Sequence, residues 1–223
     1  KREANVIMRG NVIPGIREKR NSMLQDIRDV MYWHIHQNGN GRNEPTWRGV
    51  RVVKFPTDLL LYAETIFELK PDWIIETGTA HGGSTLFFAD MLSLIGAPGK
   101  VVSVDIRPLH TPEHPKAEYV LGSSIDRAIV ASVKSKVSGK VMVVLDSSHK
   151  QSHVMRELHF YSGMVTPGQY VVVEDCYTKD GMEYPPKPAV DWFIARTKGR
   201  FELVPREDKY LIGITRGGWL RRK

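Results

Sequence analysis

The 223-residue chain carries 32 Lys+Arg against 25 Asp+Glu, a formal charge of +7, with 41% hydrophobic and 26% charged residues. That balance suits a folded domain with a filled core and excludes a disordered or fibrous chain; no apolar run approaches the roughly 20 residues of a membrane span. Basic residues fall into short clusters, Arg17, Lys19 and Arg20 and then Arg221, Arg222 and Lys223, with no zinc-finger, KH or RRM signature beside them. They read as solvated surface, so neither nucleic acid nor membrane is expected as a partner. Cys176 is the only cysteine and the start KREANVIMRG lacks the apolar stretch of a signal peptide, so a cytoplasmic, reducing setting is expected.

From Pro14 to about Gln37, apolar residues at Met23, Leu24, Ile27, Val30, Met31 and Ile35 have helical spacing. Asn38-Gly39-Asn40-Gly41 breaks that helix. A short stretch at Trp47 and Val50 to Val53 precedes Pro56, and a second helix follows, with an apolar face of Leu59, Leu60, Ala63, Ile66 and Phe67. Apolar runs then alternate with helices: Trp73 to Ile75, Val101 to Val104, Tyr119 to Leu121, Val141 to Leu145 and Tyr170 to Val173 read as strands. A helix around Ala189 to Ala195 precedes two last strands, Phe201 to Val204 and Tyr210 to Ile214.

Continuous apolar strands between helices indicate a parallel sheet covered on both faces. The closing pair is joined too closely for a crossover and must be antiparallel. This is a doubly wound, mostly parallel seven-stranded α/β sheet of the class I methyltransferase kind, with an N-terminal helical extension and lid over residues 1–56 and the sheet domain over 57–223.

Carboxylates follow the apolar runs at Glu76, Asp105, Asp146, Glu174 and Asp175. Ligands of open α/β sheets bind outside the carboxyl ends of the strands, so these residues mark one edge. Helix capping is the alternative for Asp146. The first strand opens into Glu76-Thr77-Gly78-Thr79-Ala80-His81-Gly82-Gly83-Ser84, small residues before a helix N-terminus. Ala80 breaks the dinucleotide fingerprint and no P-loop is present. An acidic opening suits a cationic ligand, with Asp105 placed for ribose hydroxyls. Ser123 and Ser124, after the third strand, are candidates for ligand contact or for helix caps. Asp146, Glu174 and Asp175 from adjacent strand ends form an all-oxygen set suited to Mg²⁺, Mn²⁺ or Ca²⁺. His149, three residues beyond Asp146, is the candidate proton acceptor, with Lys150 and His153 as rivals. His34 and His36 are read as surface residues. Trp47, Phe55, Tyr177, Tyr184 and Trp192 are candidates for an acceptor pocket or for core packing.

The stretches KFPTDLLLYAETIFELKPDWIIETGTAHGGSTLFFADML, HPKAEYVLGSSID, VMVVLDSSHKQSHVMRELHFY and GQYVVVEDC, from roughly Trp47 to Cys176, resemble the cephalosporin hydroxylase family, whose fold is that of S-adenosylmethionine methyltransferases, and related macrolide sugar O-methyltransferases. The resemblance implies S-adenosylmethionine, held by Glu76, Gly78, Thr79, Ala80, His81, Gly82, Ser84, Asp105, Ser123, Ser124 and Asp146. It also implies a divalent metal, Mg²⁺ first, at Asp146, Glu174 and Asp175. The family commonly has Asp-Ser-Asp-His where this chain has Asp146-Ser147-Ser148-His149.

The expected activity is metal-assisted O-methylation of a small hydroxylated molecule, a sugar or natural-product scaffold, by a homo-oligomer. The alternatives are a hydroxylase or oxygenase, and an S-adenosylmethionine-binding module without catalysis. No His-x-Asp or His-x-Glu occurs, which counts against a facial-triad iron oxygenase.

Overall fold

The computed structural model describes residues 14–37, 43–176, 178–179, 182–183 and 185–223. The 38–41 breaker, Tyr177 and Tyr184 lie outside the described residues, as do the side chains of Arg17, Lys19, Arg20 and His36. Helix α1 (Pro14–Tyr32) widens into a π turn at Trp33–Gln37. Strands β1 (Thr46–Trp47) and β2 (Val50–Arg51) form a small hairpin. Helix α2 (Pro56–Leu69) begins on a proline, whose missing N–H is no loss in a first turn.

The main sheet then builds up as β3 (Trp73–Thr77), α3 (Gly83–Leu94), β4 (Val101–Asp105), β5 (Ala117–Leu121), α4 (Arg127–Lys136), β6 (Val141–Leu145), α5 (Gln151–Tyr161) and β7 (Tyr170–Val173). A hairpin of β8 (Thr178–Lys179) and β9 (Met182–Glu183) precedes α6 (Pro186–Arg196), β10 (Phe201–Leu203) and β11 (Trp219–Arg222). The strand order is β10-β11-β7-β6-β3-β4-β5. Strands β3 to β7 run parallel, and β11 is antiparallel to both β7 and β10.

Successive strand residues serve opposite faces, as the pleat requires. Ile75, Val143 and Leu145 pack with Leu158 and Tyr161 of α5; Ile74, Met142 and Val144 pack with Tyr62 of α2 and Phe88 of α3. Burial on both faces explains why these strands read as unbroken apolar runs. No described helix is long and apolar enough to cross a membrane.

One strand differs from the sequence reading. Residues 210–214 form no strand, and the last strand is Trp219–Arg222, inserted between β7 and β10. Tyr210 and Ile214 are held by α2 instead: Tyr210 Oη donates to Glu64 at 2.7 Å and the Ile214 N–H to Asp58 at 2.9 Å. The tail Arg221-Arg222-Lys223 is thus partly strand, and Lys223 pairs with Glu202 across it at 3.0 Å.

What places the site is the reversal at β3. The chain leaves β3 for β4 and β5 on one side, then returns to β6 and β7 on the other, leaving a crevice above the carboxyl ends of β3 and β6.

Candidate active site

The loop after β3 lies flat against the end of β6. Gly78 has φ +92°, and a Cβ there would stand 2.1 Å from the Asp146 carbonyl oxygen, so only glycine fits. Ala80 is also left-handed, at φ 45°, a strained choice for a residue with a Cβ. Asp105 holds this turn: one oxygen accepts from the Thr79 and Ala80 N–H groups at 2.9 and 3.0 Å, the other from the Arg107 N–H at 2.8 Å.

Glu76 lies underneath, fully buried. Its carboxylate accepts from Ser84 at 2.5 Å, from Ser103 at 2.8 Å and from Thr85. Burial raises its pKa, while Lys54 and the hydroxyls work against that rise. Thr79 turns its hydroxyl down to Ser103 at 2.7 Å. Gly82 caps α3 at φ 75°. Gly78, Ala80, His81 and Ser84 face the crevice; Glu76 and Thr79 support them from below.

Beside this loop stands a cluster of charged groups from four places in the chain. His149 Nε2 lies 2.9 Å from Asp175 and 3.9 Å from Asp146. Asp146, His149 and Asp175 each offer a ligand atom, all within 4.8 Å of one another. Asp175 takes φ 54° to turn toward the cluster. Glu174 points the other way along the backbone, into the protein, where its Oε1 receives Lys54 Nζ at 2.9 Å and Tyr62 Oη at 2.5 Å. Lys54 Nζ also donates to Asp146 Oδ2 at 2.8 Å.

These contacts shift the titrations of Lys54, Asp146, His149 and Glu174. The carboxylates of Asp146 and Asp175 beside His149 raise its pKa to about 11. Burial pushes Glu174 up to about 8 against the pull of Lys54. For Asp146 burial acts in the same upward sense, but Lys54 and His149 hold it below its ordinary value. Burial lowers Lys54, and Asp146 and Glu174 more than reverse that.

The residues fit an oxygen-loving cation by their donor chemistry. Asp146 and Asp175 turn toward one point, and the second oxygen of Glu174 is buried without a hydrogen-bond partner among the described residues. Loop and cluster share one cavity of about 260 Å³, whose lining includes Gly78, Ala80, Ser84, Asp146, His149 and Asp175.

The model of the rhamnosyl O-methyltransferase/CmcI family matches residues 41–223. The chain belongs to that family. A rhamnosyl O-methyltransferase of Mycobacterium leprae is 33% identical over 195 residues, 81% of this chain and 84% of the relative. One from Mycobacterium bovis is 36% identical over 139 residues, 58% of this chain and 56% of the relative. Among solved structures, CmcI with Mg and SAM gives a TM-score of 0.63 at 19% identity, covering 87% of this chain and 84% of its own. An apo structure of CmcI gives 0.65 at 19% identity, over 86% and 83%. At that identity the structures speak for the fold.

Elsewhere around the cluster, the rivals of His149 have other surroundings. His153 Nε2 lies 3.0 Å from Ser124 Oγ and 3.1 Å from Ser147 Oγ; Lys150 is exposed at the start of α5. Asp126, not Ser123 or Ser124, caps α4, and Asp146 bonds Lys54 instead of capping α5. Trp47 packs edge-on against Phe87 at 5.1 Å and donates to Asp90 at 2.7 Å. Phe55 is buried with Ile35 and Ile214. Trp192 carries Arg196 over its ring at 4.5 Å. None of these three aromatics lines the cavity.

Lys54, Tyr62 and the lining residues Tyr32, Glu44, Arg51, Val53 and Ile214 escape a sequence reading. Lys54 is one lysine among many, and nothing in Val-Val-Lys-Phe-Pro marks it as fully buried. Tyr62 looks like one more residue of an apolar helix face.

Proposed function

We propose that this protein is a metal-assisted, S-adenosylmethionine-dependent O-methyltransferase acting on a hydroxyl of a small molecule, a sugar or a natural-product scaffold. The observation that carries this is Asp146, His149 and Asp175 converging at the cavity that the Gly78–Ser84 turn also lines. The family supports it, as do the names of the mycobacterial relatives.

In this reading the 78–84 turn and the α3 N-terminus hold the cofactor, with Asp105 fixing the turn and its remaining lone pairs facing ribose. Ser123 and Ser124 lie toward adenine. Asp146, Glu174 and Asp175 hold a dication, which supplies one thing: a lower pKa for an acceptor hydroxyl beside it. His149 takes the proton. With a dication on Asp146 and Asp175, the charges that keep His149 protonated would be offset, and its Nε2 would be free to accept the proton.

An iron-oxygenase reading finds less support, because the cluster offers one histidine and two carboxylates instead of the reverse. The division into a lid, 1–56, and a sheet domain, 57–223, is supported by Tyr32, Glu44, Arg51 and Val53 lining the cavity. Exposed Met23, Ile27, Val30 and Trp33 on one side of the N-terminal helical segment support homo-oligomeric assembly, and a single buried cysteine supports a reducing, cytoplasmic setting.

Calorimetry with S-adenosylmethionine and with Mg²⁺ tests this reading. Binding of both, and loss of Mg²⁺ binding in Asp175→Ala, is expected; cofactor binding too weak to detect contradicts it.

A further inference from the structure

Lys54 is a side chain for which the reaction above has no use. It sits just before α2 and is buried to 1% exposure between two carboxylates, 2.8 Å from Asp146 Oδ2 and 2.9 Å from Glu174 Oε1. An ammonium persists at such depth only when its charge is answered on the spot. The carboxylates answering it are two of those assigned above to the dication.

Glu174 shows the conflict most clearly. One oxygen is saturated by Lys54 and Tyr62, whereas the other is buried and has no hydrogen-bond partner among the described residues. Asp146 is similarly divided, with Oδ2 on Lys54 and Oδ1 toward His149. We propose that Lys54 is a built-in counter-cation that competes with the dication for Asp146 and Glu174, and so sets how tightly the dication is held.

The inference rests on the dication reading of this site. Its logic is electrostatic. Removing the Lys54 ammonium leaves the carboxylates one net negative charge richer toward an incoming cation. Like charges sharing one carboxylate pair repel, and in a dry site the repulsion is weakly screened. The flexible stem of lysine lets the ammonium draw back from Glu174 when a dication recruits it. A site built this way binds its metal loosely and exchanges it readily.

The test is calorimetry with Mg²⁺ and with Mn²⁺, at one pH and without cofactor or acceptor, on the wild type, Lys54→Gln and Lys54→Arg. Lys54→Gln should bind the dication several-fold more tightly, or more, than the wild type, and Mg²⁺ should raise its Tm by more. Lys54→Arg keeps the charge and should gain nothing. Equal or weaker binding by a folded Lys54→Gln overturns the proposal, as does equal tightening in Lys54→Arg. If Lys54→Gln does not fold, the ¹⁵N signal of the Lys54 ammonium in the labelled wild type decides. It should move as Mg²⁺ is added, and a signal unmoved at saturating Mg²⁺ overturns the proposal. A wild type that binds no dication removes the metal reading itself, and the role of Lys54 with it.

Discussion

At Asp146 the two carboxylate oxygens face different cations, Lys54 on one side and His149 on the other. His149→Ala should lower the single-turnover methyl-transfer rate by roughly 10²–10⁴-fold, the usual worth of a general base. Cofactor and Mg²⁺ affinities should stay within a few-fold. A near-normal rate in His149→Ala, with a slow Lys150→Ala or His153→Ala, would move the base elsewhere. A second prediction concerns Gly78, where an added Cβ would meet the Asp146 carbonyl at 2.1 Å. Gly78→Ala should abolish detectable cofactor binding in calorimetry, because the turn cannot lie against β6 with a Cβ in place and with φ at +92°. Cofactor affinity unchanged in that variant would show that the turn does not form the binding surface.

Two elements lock the sheet edge behind the site. Trp219 of β11 is fully buried and touches Tyr62 and Tyr170, ring centroids 5.1 and 5.6 Å away. Trp219→Ala should cost about 3–5 kcal/mol in denaturant unfolding, as large-to-small changes in a core do; a loss below ~1 kcal/mol would mean that β11 is peripheral. The other lock is Asp58 of α2, which accepts from the Ile214 N–H and the Thr215 hydroxyl. Burial raises its pKa from 3.8 to about 6. The folded state therefore favours the protonated form. Its contribution to stability is largest below pH ~4, declines as pH rises toward about 6, and is flat above that. Asp58→Asn should remove this decline, so its stability relative to the wild type should be more favourable at pH 7 than at pH 4. An equal difference at the two pH values would contradict the assignment.

These elements also show what the sequence makes legible. The parallel strands are fully buried on both faces, so their apolar runs and following carboxylates stand out, and the 76–84 turn announces itself by its glycines. The last strand does not: Trp219-Leu220 is a two-residue apolar run before Arg221-Arg222-Lys223, and the stronger run at 210–214 packs on α2 instead. The carboxylate set read from the strand ends is Asp146, Glu174 and Asp175; the groups that lie within 4.8 Å of one another are Asp146, His149 and Asp175. The inward turn of Glu174 toward Lys54 and Tyr62 was hidden, because it depends on which way adjacent residues point at a strand end and on partners 120 and 112 positions away.

Across the whole molecule, the N-terminal segment supplies Tyr32, Glu44, Arg51 and Val53 to the cavity while the sheet supplies the turn and the charged cluster. In the proposed function, acceptor and cofactor would meet in this crevice with both parts lining it, which would shield the transfer from water. In the proposed reaction this crevice moves a methyl group from S-adenosylmethionine to a hydroxyl with the help of a dication. The direct measurement incubates the protein with methyl-labelled S-adenosylmethionine and a panel of rhamnose-bearing and other hydroxylated acceptors, with Mg²⁺ or with excess chelator, and reads product by mass. A labelled O-methyl product that forms with Mg²⁺, vanishes with chelator and returns when Mg²⁺ is restored is the predicted result. Undiminished methylation in excess chelator, with metal confirmed absent, would contradict it.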